Sequence, residues 1–174
     1  MNTGTKTRRM SLAAIFMALA VVACYLGSIW ELVSISVVTF SGIITAAAVI
    51  ECGIGYACLM YAGAAILGAL LVPDKGVAIL YATFFGYYPI VKSLVERLRA
   101  RVLEIIIKVA IFLAVFTVYI FLLRAILFPE LQTAASVLLY AGATVYLLIY
   151  DYALTALIGL YRRRVSKYFN RDRR

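Results

Sequence analysis

Between Thr133 and Tyr161 the chain carries a single charge, Asp151, set in the run TVYLLIYDYALTALIGLY. A helix needs about 20 apolar residues to cross roughly 30 Å of bilayer hydrocarbon, and the stretch from Thr133 to Tyr161 is longer than that. A carboxylate near the bilayer centre costs roughly 2.5 to 3.5 kcal/mol on insertion scales, so it faces a partner or a wet cavity and not lipid. The run therefore calls for a membrane helix whose one acid points into protein.

Runs of the same kind fill the rest of the chain. Of 174 residues, 66% are hydrophobic and 14% charged, with a mean hydropathy of +1.01, against about a quarter charged in ordinary soluble domains. The sequence reads as an all-α integral membrane protein with six spans: Met10 to Gly27, Leu32 to Ile50, Ile54 to Val72, Gly76 to Val95, Leu103 to Leu127 and Thr133 to Tyr161. Only Glu51, Cys52 and Gly53 separate the second from the third. The connections leave no room for a soluble insertion, so residues 1–174 make one domain: a basic segment at 1–9, a six-helix bundle over 10–161 and a basic tail at 162–174. No internal repeat is evident, which removes support for an inverted-repeat transporter.

The basic residues orient the bundle. Lys6, Arg8 and Arg9 precede the first span; Lys92, Arg97, Arg99 and Arg101 lie around the fourth connection; Arg162, Arg163, Arg164, Lys167, Arg171, Arg173 and Arg174 follow the last. These are 14 of the 17 Lys and Arg; Lys75 and Arg124 fall near the other side and Lys108 inside a span. The positive-inside bias then places both termini in the cytoplasm. Attraction to anionic lipid at that face accounts for the net charge of +9 without nucleic acid as a partner.

A basic start, an apolar run and Val21-Val22-Ala23-Cys24 also have the outline of a secretory or lipoprotein signal. Small residues before a cysteine are common inside membrane helices, and the run is read as the first span. Cys24, Cys52 and Cys58 form no paired ligand motif and read as apolar filler. The chain has no histidine, the commonest metal ligand and general base. It has no Gly-rich phosphate loop, GxSxG or HExxH either, and no second carboxylate at helical spacing from Asp151 or Glu51. The reading is a protein that is not an enzyme and that calls for no cofactor and no metal.

Small residues mark two helices. Ala14 and Ala18 form an AxxxA step in the first span, and in the third Ala64 and Gly68, or Ala65 and Ala69, stand four apart. Such steps let helix backbones approach closely, either within the bundle or against another subunit. In the fourth span, Tyr81, Phe85, Tyr88 and Lys92 share a face. Pro89 cannot donate to the carbonyl of Phe85, so with Gly86 nearby a kink is predicted. A kink lined by tyrosines suits a small-molecule site; an interior seam whose hydroxyls pair with other helices fits equally. In the sixth span Thr133, Ser136, Tyr140, Thr144, Asp151 and Thr155 gather on one face, predicted to look toward the bundle or a cavity because lipid offers no partner.

Six short-looped spans with both ends inside, the opening TKTRRMSLAAIFMALAVV with its AxxxA step, a length of 174 residues and the segment FFGYYPIVKSLVERL resemble the substrate-binding S component of energy-coupling factor (ECF) transporters. The resemblance implies capture of a small vitamin-like or other organic micronutrient from outside, between loops and the outer halves of the later helices. It implies that Ala14 and Ala18 dock on a membrane coupling subunit driven by two ATPases, in a bacterial cell membrane. Candidate substrate residues are then Trp30, Glu31, Asp74, Lys75, Tyr81, Phe84, Tyr88, Arg124 and Tyr140. Metal-transporting members would be expected to use an N-terminal histidine, which this chain lacks.

Two other readings use the same residues. A non-transporting scaffold of the rod-shape-determining type would use the small-residue faces to hold partners; a handler of lipid or lipid-linked precursors would use the tyrosines and basic rim on a headgroup. The sequence also predicts an ion pair between Lys92 and Asp151, whose alpha carbons would lie about 7 and 16 Å above the basic rim at about 1.5 Å of rise per residue. Lys108, which stands four residues after Glu104, is the competing partner for Asp151; Tyr88 and Thr155 are alternative hydrogen-bond donors to it.

Overall fold

A computed structural model describes residues 3–30, 34–96, 101–126 and 133–171. The elements are α1 (Thr3–Ile29), α2 (Ser34–Cys52), α3 (Ile54–Leu71), α4 (Lys75–Leu80), a π-helical turn (Tyr81–Phe85), α5 (Tyr88–Val95), α6 (Arg101–Ile126) and α7 (Thr133–Arg171). No strand occurs among the described residues. Among the described residues, five segments are long and apolar enough to cross a membrane: Lys6–Ile29, Ser34–Cys52, Ile54–Leu71, Lys75–Val95 and Tyr140–Leu160. Within α6, which has 26 residues, the described side chains include a shorter apolar stretch, Ile106–Val118.

The narrow boundary between the second and third spans is one glycine. Gly53 has φ 90° and ψ 165°, a region open in practice only to glycine, and it stands alone between the end of α2 and the first turn of α3. Its N–H still donates to the Val49 carbonyl at 3.2 Å, and its own carbonyl accepts from Ala57 N–H at 3.0 Å. Both ladders therefore run up to the break with few backbone groups unpaired.

The chain divides into two units, Met1–Thr133 and Ala134–Arg174. In the first, α1 lies along α2 and α3, α2 also touches α5 and the π turn, and α6 packs on the π turn and α5. The contact between α1 and its neighbours runs through small residues. Ala13, Ala20, Ala23, Cys24 and Gly27 are buried, and a methyl group on Gly27 would stand 3.2 Å from Val37 Cβ. Ala57, Met60, Ala64 and Gly68 form the buried stripe of α3. Ala64 and Gly68 are thus buried, while Ala69 is exposed.

The segment from α4 to α5 is the most buried of this unit's membrane-length helices. The second unit is the long helix α7. Two hydroxyls of its polar face are satisfied on the helix itself: Thr144 Oγ1 donates to the Tyr140 carbonyl and Thr155 Oγ1 to that of Asp151, each at 2.7 Å. A threonine on a membrane helix can in this way satisfy its hydroxyl on its own preceding turn.

Candidate functional site

The irregular middle of the fourth span follows from its sequence. Pro89 has no N–H for the Phe85 carbonyl, so the helix stops at Phe85 and starts again at Tyr88, with Ile90 and Val91 N–H both donating to the Tyr87 carbonyl at 3.0 and 3.1 Å. The distortion begins earlier than a proline kink requires. Gly86 N–H reaches back five residues to the Tyr81 carbonyl at 2.8 Å, closing a π turn. Turns of this kind are rare and concentrate at functional sites.

Three tyrosines surround the turn. Tyr61 of α3 donates its hydroxyl to the Ala82 carbonyl at 2.5 Å, and its ring lies 6.3 Å from that of Tyr81 and 6.4 Å from that of Tyr87. Only glycine at position 86 admits this packing: a methyl group there would meet Tyr61 Cδ2 at 2.6 Å and Tyr81 Cζ at 3.0 Å. The Tyr81 hydroxyl lies 3.4 Å from Thr45 Oγ1 on α2. The Tyr87 hydroxyl is buried with no hydrogen-bond partner among the described residues. On the opposite side, Phe84 stacks on Tyr88 (centroids 5.8 Å apart) and meets Phe112 of α6 edge-on at 5.2 Å.

The predicted face of Tyr81, Phe85, Tyr88 and Lys92 is buried at all four positions. Lys92 is 1% exposed, and its ammonium lies 2.8 Å from Glu96 Oε1, one turn on. Lys108 of α6 approaches the same oxygen at 3.6 Å. The sequence reading missed Glu96, although its i,i+4 spacing from Lys92 was visible; that Lys108 meets it across α5 and α6 was not. Lys92 and Asp151, the predicted pair, belong to the two separate units, and Asp151 is half-buried on α7.

The remaining candidates separate. Ala14 and Ala18 are exposed on α1. Trp30 is exposed just beyond α1, and Asp74 and Lys75 do structural work. Asp74 Oδ1 accepts Gly76 N–H at 2.8 Å to cap α4. Lys75 donates to the Ala69 and Val72 carbonyls at 2.9 and 3.1 Å, closing the end of α3. Tyr140 is half-buried on α7; Glu31 and the side chains of Arg124 and Glu104 lie outside the described residues. The structure therefore unites Tyr81, Phe84 and Tyr88 and adds Thr45, Tyr61 and Tyr87, which sequence reasoning left out because their meeting depends on how α2 and α3 pack. Among the described residues no group of three His, Cys, Asp or Glu could hold a metal.

No family model matches the chain, and no curated protein and no solved structure is detectably similar to it.

Proposed function

We propose that this protein is the substrate-binding membrane subunit of an ECF-type transporter: six spans in a bacterial cell membrane, both termini cytoplasmic, binding a small organic micronutrient beside the π turn and delivering it through a coupling subunit and two ATPases. The observation that carries this reading is the orientation of the AxxxA step. The small residues of α1 divide into a buried set that packs on α2 and α3 and an exposed pair, Ala14 and Ala18. Small residues facing outward give another helix a flat surface on which backbones approach closely. The ligand reading rests on Tyr61, Tyr81, Tyr87, Phe84 and Tyr88, with the Tyr87 hydroxyl as a buried donor.

Coexpression with the coupling subunit and both ATPases of an ECF transporter tests the docking face. The wild-type protein should co-purify with all three, and Ala14→Trp with Ala18→Trp should abolish assembly while leaving detergent stability unchanged, since both positions are exposed. Mass spectrometry of small molecules in the wild-type preparation reads the ligand. A wild-type protein that purifies without the ATPases and without a bound small molecule overturns the proposal in favour of a scaffold.

A further inference from the structure

Two donors compete for one carbonyl at the π turn. In an α-helix the Gly86 N–H would donate to the Ala82 carbonyl, four residues back. Here it donates to the Tyr81 carbonyl, five back, at 2.8 Å, and the Ala82 carbonyl accepts the Tyr61 hydroxyl at 2.5 Å instead. A side chain of α3 thus stands in for a backbone donor of the fourth span. Its ring covers Gly86, where a methyl group would meet Tyr61 Cδ2 at 2.6 Å and Cε2 at 2.7 Å. Insertion of an outside group into the hydrogen-bond ladder is one of the few identifiable causes of local helix distortion.

The ordinary α register has a place for every group that the exchange would release. With Gly86 N–H on the Ala82 carbonyl, the Tyr81 carbonyl takes the Phe85 N–H, as in any α-helix. The Tyr61 hydroxyl then needs a new partner. The Tyr87 ring stands beside it edge-on, with centroids 6.4 Å apart, and the buried Tyr87 hydroxyl has no hydrogen-bond partner among the described residues. A phenolic hydroxyl both donates and accepts, so either tyrosine can serve the other. The extra residue of the π turn is absorbed downstream, where Pro89 has no N–H and the chain already turns at Gly86 and Tyr87. α5 can therefore keep its position while the residues between Tyr81 and Gly86 rotate.

We propose that the π turn is a two-position switch. In the first position Tyr61 holds the Ala82 carbonyl and the turn is π-helical; in the second, Gly86 N–H takes that carbonyl, the turn is α-helical, and the Tyr61 and Tyr87 hydroxyls bond to each other. The second position pairs one more hydroxyl, while the first keeps the Tyr61 ring packed on Gly86. These opposing terms keep both positions populated. Phe84 lies inside the rotating segment and meets the rings of Tyr88 on α5 and Phe112 on α6, so its surroundings report the position. The switch lies wholly within the first unit, needs no ligand and does not depend on the transport reading.

The test is fluorine NMR of the full-length protein in detergent, with 4-fluorophenylalanine in place of Phe84 alone. Relaxation dispersion on the otherwise wild-type protein should detect exchange between two positions on the microsecond to millisecond scale. Tyr87→Phe removes the partner that Tyr61 needs in the second position, so it should lower that population at least about fivefold, the factor equivalent to one ordinary hydrogen bond, and quench the exchange. Its thermal midpoint should not fall, because the hydroxyl it removes has no partner in the first position. Adding Tyr61→Phe to Tyr87→Phe leaves the Ala82 carbonyl to Gly86 N–H, and the resonance should move to the second position seen by dispersion. Exchange that survives Tyr87→Phe, or a doubly substituted protein whose resonance stays at the main wild-type position, overturns the proposal and leaves Tyr61 a fixed strut of the π turn.

Discussion

Three glycines of the first unit separate what the backbone requires from what packing requires. At Gly53 nothing lies within 4 Å of an added methyl group, but φ is +90°, so Gly53→Ala should cost about 1 to 3 kcal/mol through backbone strain alone. At Gly86 the backbone is helical and the obstacle is steric: two tyrosine rings, one held by its hydroxyl to Ala82. Gly86→Ala should cost about 1 to 3 kcal/mol by overpacking. Gly63 is the control. A methyl group there meets Met17, whose sulfur is part of a flexible side chain able to turn away, so Gly63→Ala should change stability by less than about 1 kcal/mol. Thermal unfolding in one detergent ranks the three, and a Gly63 variant as unstable as Gly86→Ala would show that α1 and α3 cannot adjust. The sequence located the break at positions 51–53 but not which residue makes it, because that depends on a dihedral angle.

At the scale of the element, the fourth span shows how far a pattern can be read. Tyr81, Phe85, Tyr88 and Lys92 share a face by periodicity alone, and all four are buried. Pro89 predicted an irregular helix, and there is one. What the pattern did not contain is the partner on α3: Tyr61 lies 21 residues from Ala82 in sequence, and no spacing rule connects them. This yields a coupled prediction. Distortions of the helical ladder go with groups inserted from outside, so the Tyr61 hydroxyl is tied to the π turn. Tyr61→Phe should cost about 1 kcal/mol for the lost hydrogen bond. Pro89→Ala restores an N–H for the Phe85 carbonyl and lets the turn tighten; in that background the loss from Tyr61→Phe should shrink by at least about 0.5 kcal/mol. Strictly additive losses in this double-mutant cycle would mean that Tyr61 only fills space.

Over the whole molecule, hydropathy gave the all-α membrane class, and among the described residues five helices are long and apolar enough to cross a bilayer; charge gave an expected orientation. The expected spans agree with the helices near their ends, except that α1 begins at Thr3 and α7 continues to Arg171, since helical bonding does not stop where apolar residues do. Orientation rests on the asymmetry of Lys and Arg, most of them in segments that six crossings would place on one side. Single cysteines labelled with a membrane-impermeant maleimide in intact cells measure it. The background is favourable: Cys24 and Cys52 are buried, and Cys58, exposed on α3, needs replacement by Ser. Pro73 is the better outer probe than Asp74, because it is exposed between α3 and α4, whereas losing the Asp74 cap on Gly76 N–H would itself cost about 1 kcal/mol. With both termini cytoplasmic, Pro73→Cys should label from outside, and Arg99→Cys and Arg174→Cys only after permeabilisation. Labelling of Arg99→Cys in intact cells would invert the bundle. Labelling of Arg174→Cys alone would mean an odd number of crossings, with either α6 or α7 failing to span.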